Sequence, residues 1–366
     1  MILKNGRILT PDGQFRLTDL TVEDGTIRSV GPTDAPGEEL HGAYVIPGLI
    51  DLHTHGCAGY DHLDGTPEAT QAMCRCYASH GTTSVLATVM TQAPDVMEQA
   101  VRNAASRMGK TGGAHIRGIY LEGPFFSDRY RGAQHPEYLR DPDPAFFRTL
   151  DEASNRTVRI ISLAPERADA QDFICTCRAR VFLGHTAADY ETAHAAYEAG
   201  ARGLTHTFNA MTPFHHRQPG VIAAALECGA YCECICDGFH VHPAAVRLLH
   251  SAVGKERFVM ISDSLRPTDL PDGQYDSAGQ TVFVKDGKAL LESGVIAGST
   301  AFLLDEVRNL VRWGIPLADA VYAATAAPAK AAGIFERVGS IEEGKAADLL
   351  ILGTDLTLQR VILGAE

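Results

Sequence analysis

Gly48-Leu-Ile-Asp-Leu-His-Thr-His55 is a short apolar run that ends on two histidines. The same arrangement returns further along the chain. Glu122 ends an apolar run in Leu-Glu-Gly-Pro, His185 lies in Gly-His-Thr, His206 in Thr-His-Thr-Phe-Asn-Ala, and Asp263 in Ile-Ser-Asp. These residues, with His53 and His55, make six ligand-type side chains at the ends of apolar runs. A parallel barrel collects its active-site groups from the C-terminal ends of several strands, so the pattern predicts that the six converge in space.

Reading outward, short β-rich runs alternate with helical stretches. Strands are predicted at Gly48–His53, Thr82–Val89, Ile116–Leu121, Val158–Leu163, Arg180–His185, Gly203–His206, Tyr231–Cys236 and Phe258–Ser262, the fourth after a long loop. Helices are predicted at Pro67–His80, Pro94–Met108, Asp189–Ala199, Gly220–Cys228 and Pro243–Val253. Eight strands alternating with helices give an α/β fold, a (β/α)₈ TIM-type barrel. The flanks differ. Ile2–Leu9, Leu17–Val22 and Ile27–Val30 are short strands separated by Pro-Asp-Gly and Glu-Asp-Gly turns, and the C-terminus ends in similar runs around Leu349–Leu352 and Gln359–Leu363. Both ends together predict a small β-sandwich domain of residues 1–46 and 337–366, with the barrel at 47–336. A hairpin turning at Asp286-Gly287 is predicted as an insertion near 280–296, and helices at Thr300–Trp313 and Leu317–Ala332.

Composition narrows the function. The chain has 366 residues, 45% of them hydrophobic, enough to bury a large core. A net charge of −13 with no basic block argues against a nucleic-acid or anionic-membrane partner. No run approaches the roughly 20 apolar residues of a membrane span. Met1-Ile-Leu-Lys enters a strand at once, so a cytoplasmic enzyme is expected. The nine cysteines include Cys74/Cys76, Cys175/Cys177 and Cys232/Cys234/Cys236. The last three share one face of a strand and diverge too far to hold one metal. All are read as reduced thiols that pack as small hydrophobes.

Longer motifs go beyond a generic metal site: Leu121-Glu-Gly-Pro-Phe, Gly184-His, His206-Thr-Phe-Asn-Ala-Met, His215-His-Arg-Gln-Pro-Gly, Asp237-Gly-Phe-His-Val-His-Pro, Leu270-Pro-Asp-Gly and Ile296-Ala-Gly-Ser. With His53-Thr-His55 and the closing Gly-Lys-Ala-Ala-Asp-Leu-Leu-Ile-Leu, the chain resembles the amidohydrolase superfamily, and within it the N-acetylglucosamine-6-phosphate deacetylases. The resemblance runs from the first barrel strand to about Leu352. It implies a homodimer that hydrolyses the acetamido group of a phosphorylated amino sugar, N-acetyl-D-glucosamine 6-phosphate, to the 6-phosphorylated amine and acetate. Such a reaction needs a divalent metal, because water is a poor nucleophile and an amide a poor electrophile. Zinc suits the donor set, and iron, manganese or cobalt could replace it.

By the same resemblance Glu122, His185 and His206 hold the main metal, and Asp263 moves the proton between water and the leaving amine. His53 and His55 predict a second metal bridged by Glu122, giving one or two per chain. Asn209, Ala210, His240, Ile296, Ala297 and Gly298 line the sugar site together with Ala133, Gln134 and Asp237, and Arg217 clamps the phosphate. Two features depart from relatives. Gln134 stands where some carry a histidine, leaving Gln134, His135 or a second metal to polarise the carbonyl. Arg266 and Pro267 follow Asp263 where small residues are usual, and are expected to reshape the pocket rim. His41, His62, His80, His115, His194 and His250 are assigned to surface or packing. Competing readings are the galactosamine epimer of the substrate, a cyclic-amide hydrolase, and a non-catalytic scaffold. A cyclic-amide hydrolase would usually offer a barrel lysine, absent here at the fourth strand's end, and a scaffold would usually lose ligands that this chain keeps.

Overall fold

The computed structural model of the protein describes residues 1–365. Eight parallel strands follow one another in chain order around a barrel: Leu49–Thr54, Thr82–Met90, His115–Glu122, Val158–Leu163, Arg180–Leu183, Gly203–Leu204, Tyr231–Ile235 and Phe258–Ile261. Along them buried side chains alternate between two cores, as the two-residue period of a strand requires. Ile50, Leu52, Leu86, Tyr120, Ile160, Phe182, Ile235, Val259 and Ile261 fill the interior. Val85, Ala87, Ile119, Leu121, Val181, Leu183 and Met260 belong to the larger core that includes the helices. Cys232, Cys234 and Cys236 lie in that core together, as their spacing predicts.

The barrel closes through irregular contacts. Asp263 N–H donates to the His53 carbonyl at 2.9 Å. The buried Asp51 carboxylate accepts from His53 N–H at 3.2 Å and Ser262 N–H at 3.3 Å. Burial pushes Asp51 up to about 7. One barrel end is packed by Ala326–Ala332, whose Ala327, Ala329 and Ala331 share the interior core. That helix and Leu317–Ala323 replace the single helix predicted over Leu317–Ala332. Thr325, at φ −136° and ψ −80°, is the non-helical break between them.

Both termini build one further sheet. Its order is Leu358–Ile362, Leu349–Leu352, Tyr44–Pro47, Ile2–Leu9, Phe15–Glu23 and Thr26–Val30, with Glu38–Glu39 also paired to Ile2–Leu9. The sheet folds over its own core of Leu3, Ile8, Leu20, Val22, Ile27, Leu349 and Ile351. The chain entering the final strands returns to the opposite edge: Ile27 N–H donates to Lys345 O at 2.9 Å and Ala347 N–H to Gly25 O at 2.8 Å.

Two regions are richer than predicted. The long loop before the fourth strand contains the helix Pro144–Ala153, capped by Asp143. The insertion is a four-stranded antiparallel meander of Gly273–Ser277, Gln280–Lys285, Lys288–Leu291 and Ile296–Gly298, with the predicted turn at Asp286-Gly287. Its first strand is polar and largely exposed, so it carries no apolar alternation for sequence reading to find.

Candidate metal centre and substrate cavity

The six predicted ligands meet at one end of the barrel. Several leave their strands through left-handed backbone, with φ of 47° at His185, 26° at His206 and 49° at Asp263. Non-glycine residues adopt that region at a cost and commonly where function requires it. After Glu122 the chain turns at Gly123 (φ 91°), where a Cβ would lie 2.3 Å from Thr91 Oγ1.

Glu122 is the shared node. Its Oε1 lies 3.0 Å from His185 Nε2 and 3.3 Å from His206 Nε2, and those nitrogens are 3.0 Å apart. His185 Nδ1 faces Tyr130 O at 2.9 Å, and His206 Nδ1 faces Asn209 O at 3.2 Å. A carbonyl only accepts, so each Nδ1 carries the proton and each Nε2 presents a lone pair. Burial lowers His185 and keeps it neutral. Three acceptor atoms therefore face one another, a repulsive arrangement without a cation. Donors about 2.0–2.2 Å from a tetrahedral zinc sit about 3.3–3.6 Å apart, close to the 3.0–3.3 Å found here.

A second group shares the carboxylate. His55 Nε2 is 3.4 Å from Glu122 Oε2 and 3.1 Å from Asp263 Oδ1; His53 Nε2 is 3.4 Å from Glu122 Oε1 and 3.7 Å from Asp263 Oδ1. His53 Nε2 is buried without a hydrogen-bond partner although two carboxylates surround it. His53, His55 and Glu122 form one group of donors able to hold a metal, and Glu122, His185 and His206 another. Burial opposes charge on His53, but Glu122, Glu233 and Asp263 outweigh it and raise the imidazole well above its usual value. Burial would likewise raise Glu122 and Asp263. The His53 charge holds Glu122 well below the carboxylate range, and the His55 hydrogen bond with the His53 charge holds Asp263 below it.

A cavity of 460 Å³ opens over this centre. His55, Glu122, His185, His206 and Asp263 line it, with Ala133, Gln134, Asn209, Ala210, His240, Ile296, Ala297 and Gly298. Three predicted residues are placed otherwise. Asp237 buttresses His240, its Oδ2 at 2.6 Å from Nδ1, and also accepts from the backbone N–H of Phe239 and His240. His53 is fully buried beneath the cavity. Arg217 is exposed on the 215–218 turn, where it contacts His216 at 2.9 Å, and does not line the cavity of its own chain. Arg129 and Arg131 do.

The two departures are resolved locally. Gln134 is buried; its amide donates to Glu122 Oε2 at 2.6 Å and accepts from Thr91 N–H at 3.0 Å. His135 does not line the cavity and meets the Tyr138 ring at a tilt of 45°. Arg266 is pinned to Asp64 and the Gly59 carbonyl, leaving Leu265 at the cavity wall. Sequence reading missed Glu233. It points inward from the seventh strand, fully buried, with Oε2 at 3.3 Å from His53 Nδ1, 3.3 Å from His206 N and 3.5 Å from the Tyr120 hydroxyl. Its signal was a lone acid inside the Cys-Glu-Cys-Ile strand, where a charge must have a buried partner.

Residues 44–364 match the model of the amidohydrolase family. The chain belongs to the amidohydrolase family. Among its relatives, the N-acetylgalactosamine-6-phosphate deacetylase of Escherichia coli O157:H7 is 36% identical and covers 98% of this chain and 97% of its own. The N-acetylglucosamine-6-phosphate deacetylase of Vibrio furnissii is 37% identical, covering 92% of this chain and 87% of its own. In three dimensions this amidohydrolase superposes with a TM-score of 0.93 and 33% identity on a Mycobacterium smegmatis N-acetyl-D-glucosamine-6-phosphate deacetylase solved with N-acetyl-D-glucosamine 6-phosphate; 99% of this chain and 97% of that one are covered. Among the described residues no helix is long and apolar enough to cross a membrane.

Proposed function

We propose that the chain hydrolyses the N-acetyl group of N-acetyl-D-glucosamine 6-phosphate, giving D-glucosamine 6-phosphate and acetate. The observation that carries this reading is the lone-pair cluster of Glu122, His185 and His206, with Asp263 beside it, under a cavity of sugar-phosphate size. Glu122, His185 and His206 would hold one divalent cation, zinc suiting their nitrogen and oxygen donors, and His53 and His55 with Glu122 would hold a second. When bound, the metal lowers the pKa of water and draws electron density from the amide carbonyl.

The chain's own groups do the rest. Asp263, ionised at neutral pH, accepts the proton as water oxygen attacks the acetyl carbon, then returns it to the amine nitrogen as the C–N bond breaks. Gln134 acts through Glu122, whose second oxygen it holds. Asn209, Ala210 and His240 orient the sugar, with Asp237 fixing the His240 ring, and Ala133, Ile296, Ala297 and Gly298 close around it. Arg129 and Arg131 supply positive charge within one chain. Arg217 stands outside this cavity in its own chain and would reach phosphate from the second copy of a homodimer. The same proposal divides the chain into a small domain of residues 1–46 and 337–366 and a barrel of 47–336. No disulfide joins the described cysteines, which suits a cytoplasmic setting.

The galactosamine epimer is the second reading, favoured by the Escherichia coli relative. A deacetylation assay on N-acetylated hexosamines, each with and without 6-phosphate, tests both. Fastest turnover of N-acetyl-D-glucosamine 6-phosphate is expected; preference for the galacto epimer selects the second reading, and no turnover of either phosphosugar overturns the proposal.

A further inference from the structure

Outside the catalytic cavity, Cys76, His80 and Asp269 each turn one donor atom toward the same point, all within 4.8 Å of one another. Cys76 lies in the last turn of the helix Pro67–Ser79, and His80 follows its end, so the four-residue spacing stacks them on one face. Asp269 comes from the loop after the eighth barrel strand. Cys76 Sγ is 3.6 Å from Asp269 Oδ2 and 3.9 Å from His80 Nδ1, and His80 Nε2 is 3.6 Å from Asp269 Oδ1. None of the three lines the catalytic cavity.

We infer that Cys76, His80 and Asp269 form a separate binding site for a borderline-soft divalent metal ion of the zinc type. Thiolate, imidazole and carboxylate are the donors such an ion prefers, and three protein ligands leave a position for water. The imidazole is prepared for it. Nδ1 donates to the Cys76 carbonyl at 3.0 Å, which leaves the Nε2 lone pair facing Asp269. The ring stacks flat on Phe302 with centroids 3.8 Å apart and planes 7° apart, which fixes its orientation. A metal in this position ties the helix that follows His53 and His55 to the loop that follows Asp263. Its role is to brace those two elements, not to take part in hydrolysis.

The catalytic centre has no sulfur ligand, so a thiolate-to-metal charge-transfer absorption that is lost in variants of these three residues reports on this site. The holoenzyme, loaded at its catalytic centre, is titrated with Co²⁺ and with Zn²⁺, in parallel with Cys76→Ser, His80→Ala and Asp269→Asn. The wild type is expected to develop the charge-transfer band with Co²⁺, to bind one more Zn²⁺ per chain than Cys76→Ser, and to gain melting temperature with it. All three variants should lose the band while keeping turnover. If Cys76→Ser fails to fold, the half-exposed His80 and Asp269 variants carry the comparison. Absence of the band in the wild type, its survival in the variants, or equal metal content in wild type and variants would overturn the inference.

Discussion

Asp263 and Glu233 are both buried carboxylates beside His53, yet they face different tasks. Asp263 Oδ1 faces the cavity and the His55 ring, so its oxygen is free to exchange a proton with water. Asp263→Asn is predicted to lower kcat by about 10²–10⁴, with metal content unchanged; near-normal turnover in the metallated variant would contradict the role. Glu233 never reaches the cavity and acts by holding the His53 tautomer that points Nε2 at Glu122 and Asp263. Glu233→Gln is predicted to weaken metal binding by about 10–100-fold, seen as a rise in the metal concentration needed for half-maximal activity and little change at saturation. The six candidate ligands were legible because each stands at or just past the end of a strand. Glu233 was not, since a supporting carboxylate has no motif of its own. The commitments of Gln134 and Asp237 to neighbouring side chains were hidden for the same reason, since only packing decides them.

At the scale of elements, all eight barrel strands were legible from apolar runs bounded by turns. What escaped was structure without that pattern, such as the polar strand Gly273–Ser277 and the helix Pro144–Ala153. Tertiary joints are also invisible in sequence. Asp348 stands just before the strand Leu349–Leu352 and meets Arg117 of the third barrel strand at 3.0 Å, both nearly buried. Burial would raise Asp348, but His115, Arg117 and the Gly364 N–H hold it below the usual carboxylate value. A depressed carboxylate stabilises the fold above its unfolded pKa, near 3.9, and that contribution fades as pH falls through the folded value. Asp348→Ala is predicted to cost about 3–5 kcal/mol near neutral pH, because it strands a buried guanidinium. Denaturant melts should show the gap to wild type narrowing in acid; a gap independent of pH would contradict the pairing.

At the scale of the whole molecule, a barrel end that gathers candidate ligands from five strands carries a cavity that Arg217 of the same chain does not line. The proposed homodimer would bring this arginine to the cavity of a second copy. Arg217→Ala is predicted to raise KM for the phosphosugar by the equivalent of about 2–5 kcal/mol, with weak activity on the unphosphorylated sugar unchanged, and dilution of the wild type should reduce activity as dimers separate. Equal losses on both sugars, or a fully active monomer, would assign Arg217 elsewhere. The central claim remains the centre built on Glu122, where acceptor atoms crowd together in a way that only a cation relieves. Its most direct test is acetate release from N-acetyl-D-glucosamine 6-phosphate by chelated protein titrated with zinc. Turnover is predicted to be absent after chelation and to rise with added metal to a plateau; full turnover in the chelated protein, or none at any metal concentration, would contradict it.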